Sequence, residues 1–190
     1  MEENKLFFLG ALAVLLIILA IIFFKSGGQE KIKDIPSTIP AESLSTEPQE
    51  GQKIVLFFLS EQDTLLHAEE REIVGSPSVA NQAKQTIEEL IRGSRNGNIS
   101  PFSPEIKLRE LLVTPGGIAY VDFPKEFHDK HLSGSSAEIA TVFSIVNSLT
   151  YNFKSIKKVF ILIEGGERET LRGHIDLSKP FLPRYNLIAN

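Results

Sequence analysis

The sequence predicts an α+β domain with one mixed sheet of about five strands and two helices packed on it. Continuous apolar, β-rich runs such as "KIVLFFLS" (53–60) and "KKVFILIEGG" (157–166) are typical of buried strands. Residues 78–93 and 135–153 instead carry apolar side chains at helical spacing. Because hairpins interrupt the alternation of strands and helices, the pattern favours α+β over a regular α/β sheet.

Ahead of this domain the sequence predicts one transmembrane helix. The run Leu6–Phe24 holds 19 residues without a charge and would span about 28 Å as a helix, close to the thickness of a bilayer core. A cleaved signal peptide or a buried helix are the alternatives, but the run is long for the first and lacks the polar stripe of the second. Lys25, Lys31 and Lys33 outnumber Lys5, which taken alone would keep the C-terminal side in the cytoplasm.

The predicted boundaries are an anchor at 1–25, a disordered linker at 26–52, a folded domain at 53–185 and a tail at 186–190. The linker is rich in Pro, Ser, Thr and acidic residues and cannot bury enough surface to fold. The chain has no cysteine, which excludes disulfides, thiolate metal sites and a cysteine nucleophile. A net charge of −4 without a basic stripe argues against nucleic acid as a partner.

Within the domain, residues 65–74 read as an exposed strand and 78–93 as an amphipathic helix. Ser78 is its expected N-cap and Gly93 its expected end. Pro115–Gly117 then separates two β arms and predicts a hairpin.

The second helix, 135–153, is expected to begin with a capping box formed by Ser135 and Glu138. From Ile139 to Phe153 it carries no charge, which is unusual for a helix with a solvent-facing side. Either another part of the domain covers its small polar face, or another protein docks there. The candidate partner-binding residues on this face are Thr141, Ser144 and Ser148.

The stretch "GHIDLSKPF" (173–181) raises the question of a catalytic triad. His174, Asp176 and Ser178 fall at alternate positions, but in an extended segment the middle residue would be the aspartate. A Ser–His–Asp relay needs the histidine in the middle. We therefore interpret the stretch as a structural tail in which Pro180 and Phe181 pack on the core.

Two further clusters of polar residues have both a functional and a purely structural interpretation. "HDKH" (128–131) offers two imidazoles that could bind zinc, but no HExxH motif is present and a solvated loop is the better explanation. The run Glu69–Glu72 could supply a carboxylate of a glycan hydrolase. It is better explained as a charged strand face, with Glu70 or Glu72 pairing with Arg71 or Arg109.

Taken together, several segments resemble the GerMN domain, a module named after a spore germination protein. They are "LLHAEEREIVGSPSVANQAKQTIEELIRG", "GGIAYVDFPKEF", "GSSAEIATVFSIVNSLTYNFKSIKKVFILIEG" and "GHIDLSKPF", in the family's order over about 65–185. Pro124 and Ser148 depart mildly from the family's pattern. The positions that match its motifs are Glu70, Arg71, Asp122, Glu138, Asn147, Gly173, His174, Asp176 and Pro180.

This resemblance implies an extracytoplasmic module of cell-envelope or sporulation proteins, often anchored by a lipid or a membrane helix. The family is not established as enzymatic, and it is similar to ring-building modules that act through protein–protein contacts. We therefore expect a non-catalytic scaffold in the bacterial cytoplasmic membrane with its domain outside, despite the lysine count. Expected partners are an envelope protein or peptidoglycan, or further copies of the chain, with no cofactor or metal. A cell-wall glycan or peptide hydrolase is the alternative.

Overall fold

The computed structural model describes residues 50–131 and 134–189. The predicted membrane anchor at Leu6–Phe24 and the predicted linker as far as residue 49 lie outside these ranges. Within the ranges, none of the helices combines the length and the apolar character that a membrane span requires.

The described part of the chain folds into an α+β domain, as the sequence predicts. Its strands are β1 (Gly51–Leu59), β2 (Leu66–Val74), β3 (Glu110–Val113), β4 (Ile118–Phe123) and β5 (Lys158–Ile163), and its helices are α1 (Val79–Ile91), α2 (Lys125–Asp129) and α3 (Ser135–Asn152). A short 3-10 helix, Tyr185–Leu187, lies near the end.

The strands form two sheets, so the expected single mixed sheet is wrong. One sheet is the antiparallel pair β1–β2. In the other, β4 pairs antiparallel with β3 and parallel with β5. Hydrophobic runs predict that a strand is present but not which strand lies beside it, because partners are chosen by tertiary packing.

Side chains of α3 occupy the second edge of β1. Asn152 accepts the backbone N–H of Val55 at 2.9 Å and donates to the carbonyl of the same residue at 2.7 Å. Ser148 accepts the N–H of Phe57 at 3.1 Å. The helix therefore satisfies much of an edge that would otherwise offer unpaired backbone groups. At the end of β1, Leu59 pairs with Ile99 in an isolated antiparallel bridge.

Two helices agree with the sequence prediction and one was missed. α1 has Ser78 as N-cap, which accepts the N–H of Asn81 at 3.3 Å, and Gly93 follows its end with φ +87°. The short α2 falls in the segment interpreted as a loop. It is held by Phe127, which is 2% exposed and packs on Phe123.

The capping box expected at the start of α3 does not form. Gly134 is the N-cap residue, and no side chain caps this end. Glu138 is completely buried and binds the C-terminal part of the domain instead. The carboxylate of Glu138, in the first turn of α3, therefore forms tertiary hydrogen bonds in place of the expected capping bond to its own helix.

The hairpin turn between β3 and β4 packs against the loop before β5. Gly117 has φ +81°, and a Cβ there would lie 2.7 Å from the carbonyl oxygen of Ser155. Its own carbonyl accepts the N–H of Lys157 at 2.7 Å. Only glycine meets both the backbone angle and the close approach.

The C-terminal segment returns across both sheets. Phe181 and Val159 of β5 exchange backbone hydrogen bonds of 2.7 and 3.0 Å, and Ile188 pairs with Leu66 of β2. Ala189 also donates its N–H to Leu66 at 3.0 Å. Backbone pairing therefore continues beyond residue 185, where the sequence predicted a tail, and begins before Lys53, at Gly51 of β1.

Candidate functional site

Glu138 organises the stretch that raised the question of a triad. Its carboxylate is 0% exposed and accepts backbone N–H groups from Arg172 at 3.2 Å, His174 at 3.3 Å and Ile175 at 3.1 Å. The Nδ1 atom of His174 lies 2.7 Å from the same carboxylate. Such a carboxylate is the central acceptor of a folded loop.

Electrostatics at Glu138 favour the charged form. Burial acts to raise the pKa of its carboxyl, but the hydrogen bonds from the His174 ring and from the three backbone N–H groups outweigh it. The pKa therefore lies below its ordinary value, because each donor stabilises the anion.

The other members of the supposed triad make local bonds. Asp176 accepts the N–H of Ser178 at 2.8 Å and its hydroxyl at 2.5 Å, which is a short turn closed by an aspartate. His174 faces Glu138, so it does not lie between Asp176 and Ser178 as a relay requires. The interpretation as a structural tail agrees with these contacts.

Other motif positions also hold backbone in place. Asn147, completely buried, accepts the N–H of Arg184 at 2.9 Å and donates to its carbonyl at 3.0 Å. Asp122 accepts the N–H of Gly165 at 2.8 Å, which fixes the turn after β5. Gly173 has φ +106°, and Pro180 directly precedes the residue that pairs with β5.

The charged strand contains a buried network. Arg71, 6% exposed, forms an ion pair of 2.8 Å with Glu69, which is 2% exposed. Glu70 and Glu72 point outward, and Arg109 lies 3.4 Å from Asp122. The expected pairing of Glu70 or Glu72 with these arginines is therefore wrong, because strand alternation puts Glu69 and Arg71 on the inner face.

Glu69 has enough donors to remain ionised inside the protein. Burial acts to raise its pKa, but hydrogen bonds from the Ser94 hydroxyl, the Arg95 N–H, the Asn98 amide and Arg71 together hold it below the ordinary value. Arg71 also donates to the carbonyl of Gly93 at 3.2 Å. The network therefore ties β2 to the loop that follows α1.

The two histidines of "HDKH" do not converge on a common point. Nδ1 of His128 contacts Asp129 at 2.9 Å, and Nε2 of His131 contacts the Thr141 hydroxyl at 2.8 Å. Across residues 50–131 and 134–189, no group of three or more His, Cys, Asp or Glu side chains could hold a metal ion.

The predicted partner face lies inside the domain. Thr141 is 4% exposed, Ser144 1% and Ser148 0%. Ser148 binds β1, as described above. Contact with a partner through Thr141 or Ser144 would need a ligand that enters the protein, and the structure provides a cavity at this point.

This cavity, of about 310 Å³, lies beside the N-terminal half of α3. Thr141 and Ser144 form part of its wall, and the described residues around it include no carboxylate. The residues that line it are Leu59, Ile99, Ser100, Pro101, Phe102, Ser103, Lys130, His131, Ala137, Ala140, Thr141 and Ser144.

A second candidate lies on the surface at the other end of α3. Tyr151 and Tyr185 are 46% and 45% exposed, and their rings contact edge to face with centroids 6.3 Å apart. Nζ of Lys154 lies 5.7 Å from the Tyr151 ring. We call these three residues, with Leu182 and Arg184 of the adjoining segment, the tyrosine patch. The sequence pattern does not reveal this patch, because Tyr151 belongs to a predicted helix and Tyr185 lies next to the predicted tail.

Comparison with known proteins identifies the family. Residues 55–169 match the family model "Germane: Sporulation and spore germination". The chain belongs to the Germane family. Its resemblance to GerMN domains, inferred from the sequence motifs, is thereby confirmed. A search of curated proteins finds no match.

Solved structures share this Germane-family fold. A protein from Clostridium perfringens described as a candidate lipoprotein is 26% identical, with a TM-score of 0.50 over 74% of this chain and 94% of that one. The tandem GerMN domains of the sporulation protein GerM from Bacillus subtilis are 23% identical, with a TM-score of 0.58 over 72% of this chain and 48% of that one. The first GerMN domain of GerM alone is also 23% identical, with a TM-score of 0.57 over 70% and 98%.

Most of the motif residues of this Germane-family domain are thus engaged in holding the fold. Glu138, Asn147, Asp122 and Arg71 each bind backbone or a buried ionic partner. Among the described residues, the cavity and the tyrosine patch are two candidates for binding.

Proposed function

We propose that this chain is a sporulation-related, non-catalytic binding module of the bacterial cell envelope. In this proposal Leu6–Phe24 anchors the chain in the cytoplasmic membrane and the Germane-family domain lies outside. The family match and the likeness to a protein described as a candidate lipoprotein support an extracytoplasmic, membrane-associated role. The length and apolar character of Leu6–Phe24 support a helical anchor.

The observation that carries the binding role is the exposed pair Tyr151–Tyr185. Tyrosine and arginine are enriched among the residues that dominate binding energy, because they bury a large area and still form polar contacts. Val74 and Leu112 are also exposed, but they stand on different strands, and single exposed apolar residues are normal on a protein surface.

The two rings are held in place before a partner arrives. Tyr151 packs edge to face on Phe57 with centroids 5.3 Å apart, and the Tyr185 hydroxyl donates to Thr150 at 3.2 Å. Side chains that are already ordered lose less conformational entropy on binding. The tyrosine patch is therefore preorganised, so binding a partner costs less conformational entropy.

The charge of the patch indicates what kind of partner it fits. Lys154 and Arg184 are exposed, and neither forms an ion pair with a carboxylate of the described residues. Arg184 packs over the Phe143 ring at 5.2 Å, which fixes its position. An envelope protein with carboxylates around an apolar centre would complement this surface in charge.

Photocrosslinking in intact cells tests the docking proposal. With p-benzoylphenylalanine in place of Tyr151, we expect a crosslink to one envelope protein whose linked segment, identified by mass spectrometry, is acidic. Reversing both charges in Lys154→Glu/Arg184→Glu should reduce the yield at least fivefold, because it places like charges across the interface.

The matched control is Lys107→Glu/Arg168→Glu, which makes the same change in net charge at exposed positions elsewhere. It should leave the yield unchanged. If both double variants reduced the crosslink equally, or if Tyr151 gave no crosslink in cells that contain the folded protein, the patch would not be the docking surface.

A further inference from the structure

We propose that the cavity beside α3 binds a small, largely apolar molecule whose hydrogen-bond acceptor takes the hydroxyl of Ser144. This inference goes beyond the proposed docking function and does not depend on it, because the tyrosine patch and the cavity lining share no residue.

The hydrogen bonds between α3 and β1 form a regular series that ends at the cavity. Asn152 binds Val55, and four residues earlier on the helix Ser148 binds Phe57, two residues later on the strand. The next rung of this series would join Ser144 to Leu59. That hydrogen bond is not formed, because the backbone N–H of Ile99 donates to the carbonyl of Leu59 at 2.8 Å. Ser144 and Leu59 both line the cavity instead. The helix and the strand therefore part at the cavity.

The hydroxyl of Ser144 lies in the cavity wall without a partner in the described part of the chain. Ser144 is 1% exposed, and its Oγ has no hydrogen-bond partner among the described residues. Leaving a buried hydroxyl unpaired is costly, and a ligand acceptor that reaches it would recover that cost. Thr141, in the same wall, already contacts His131 at 2.8 Å, whereas the buried hydroxyl of Ser144 is left without a partner in residues 50–131 and 134–189.

The lining defines the rest of the ligand. Leu59, Ile99, Phe102, Ala137 and Ala140 supply an apolar wall. A volume of about 310 Å³ lies at the lower end of the range for sites that bind small molecules. Ser100, Ser103 and His131 add polar groups to the same lining.

Charge favours a neutral acceptor over a carboxylate. Lys130, at the cavity, already lies 2.6 Å from Glu105 in an exposed ion pair. The described lining therefore offers a hydroxyl but no unpaired lysine. A ketone, ester or amide carbonyl on an aromatic or branched aliphatic body matches these features.

Two probes of nearly equal shape test this assignment on the full chain in detergent. Acetophenone carries a carbonyl oxygen, and α-methylstyrene has a CH₂ group in its place. By saturation-transfer NMR we expect acetophenone to bind about fivefold to tenfold more tightly, as one neutral hydrogen bond allows. Ser144→Ala should remove this preference and leave α-methylstyrene binding unchanged.

Two further variants complete the design. Ala137→Leu should abolish binding of both probes by filling the cavity, and Ser178→Ala, which removes a hydroxyl outside it, should change neither. Circular dichroism establishes that each variant is folded. The proposal is overturned if neither probe binds the wild type, if both bind equally, or if the acetophenone preference survives in Ser144→Ala.

Discussion

Replacing Glu138 with glutamine should lower the free energy of unfolding at pH 7 by about 3–4 kcal/mol. Three backbone N–H groups and the ring of His174 point at this carboxylate. A glutamine of the same shape brings an NH₂ group toward those donors and leaves some of them unpaired. Chemical denaturation of the purified chain measures the change.

The effect should depend on pH in a defined direction. Because the pKa of Glu138 is lowered in the folded protein, its charge stabilises the fold above the pKa of the unfolded chain, about 4.3. This contribution is lost as the pH falls through the lower pKa of the folded state. The difference between wild type and Glu138→Gln should therefore be present at pH 7 and shrink as the carboxyl becomes protonated at low pH.

Glu88→Gln is the matched control for this variant. Glu88 is exposed on α1, so its replacement should change stability by less than about 0.5 kcal/mol. A Glu138→Gln protein as stable as the control at pH 7 would show that Glu138 does not hold the closing segment.

Replacing Arg71 with methionine is the second change with a large expected effect, about 2–4 kcal/mol of unfolding free energy. The variant keeps most of the aliphatic volume but removes the cation 2.8 Å from Glu69 and the donor to Gly93. The remaining hydrogen-bond donors to Glu69 reduce the loss of unfolding free energy, but they do not replace the positive charge. Thermal unfolding and urea unfolding both measure this change in stability.

A double-mutant cycle identifies the cause of the Arg71 effect. Glu69→Gln/Arg71→Met should be less destabilised than the sum of its single variants by at least about 1 kcal/mol, since the two side chains contact each other. Arg92→Met, whose side chain is 69% exposed, should cost less than about 1 kcal/mol. Strict additivity in the cycle would contradict a buried pair.

Local patterns predicted the elements of this fold better than their arrangement. The N-cap at Ser78 and the turn at Gly117 depend on backbone chemistry within a few residues, which a sequence shows directly. The number of sheets depends on what fills the edge of β1. Two of those groups, Ser148 and Asn152, are 91 and 97 residues from the strand residues that they bind. No local pattern contains that information.

Some features of the candidate site could also be predicted from local sequence patterns, whereas others depend on the tertiary fold. The charge-free run of α3 was recognised as unusual, and its burial against β1 and the cavity accounts for it. The inner position of Glu69 could have been found from strict alternation with Arg71 and Ile73. The tyrosine patch could not have been found from the sequence, because Tyr151 and Tyr185 meet only through the tertiary fold.

Single-cysteine labelling in intact cells tests the central claim most directly, because the chain has no cysteine of its own. A membrane-impermeant maleimide should label Leu112→Cys rapidly in cells if the domain lies outside the membrane. Leu182→Cys, at a residue equally exposed at 60%, should react at least fivefold more slowly in cells than in the purified protein, because a partner covers the tyrosine patch. Labelling of Leu112→Cys only after lysis, or equally fast labelling of both positions in cells, would contradict the account.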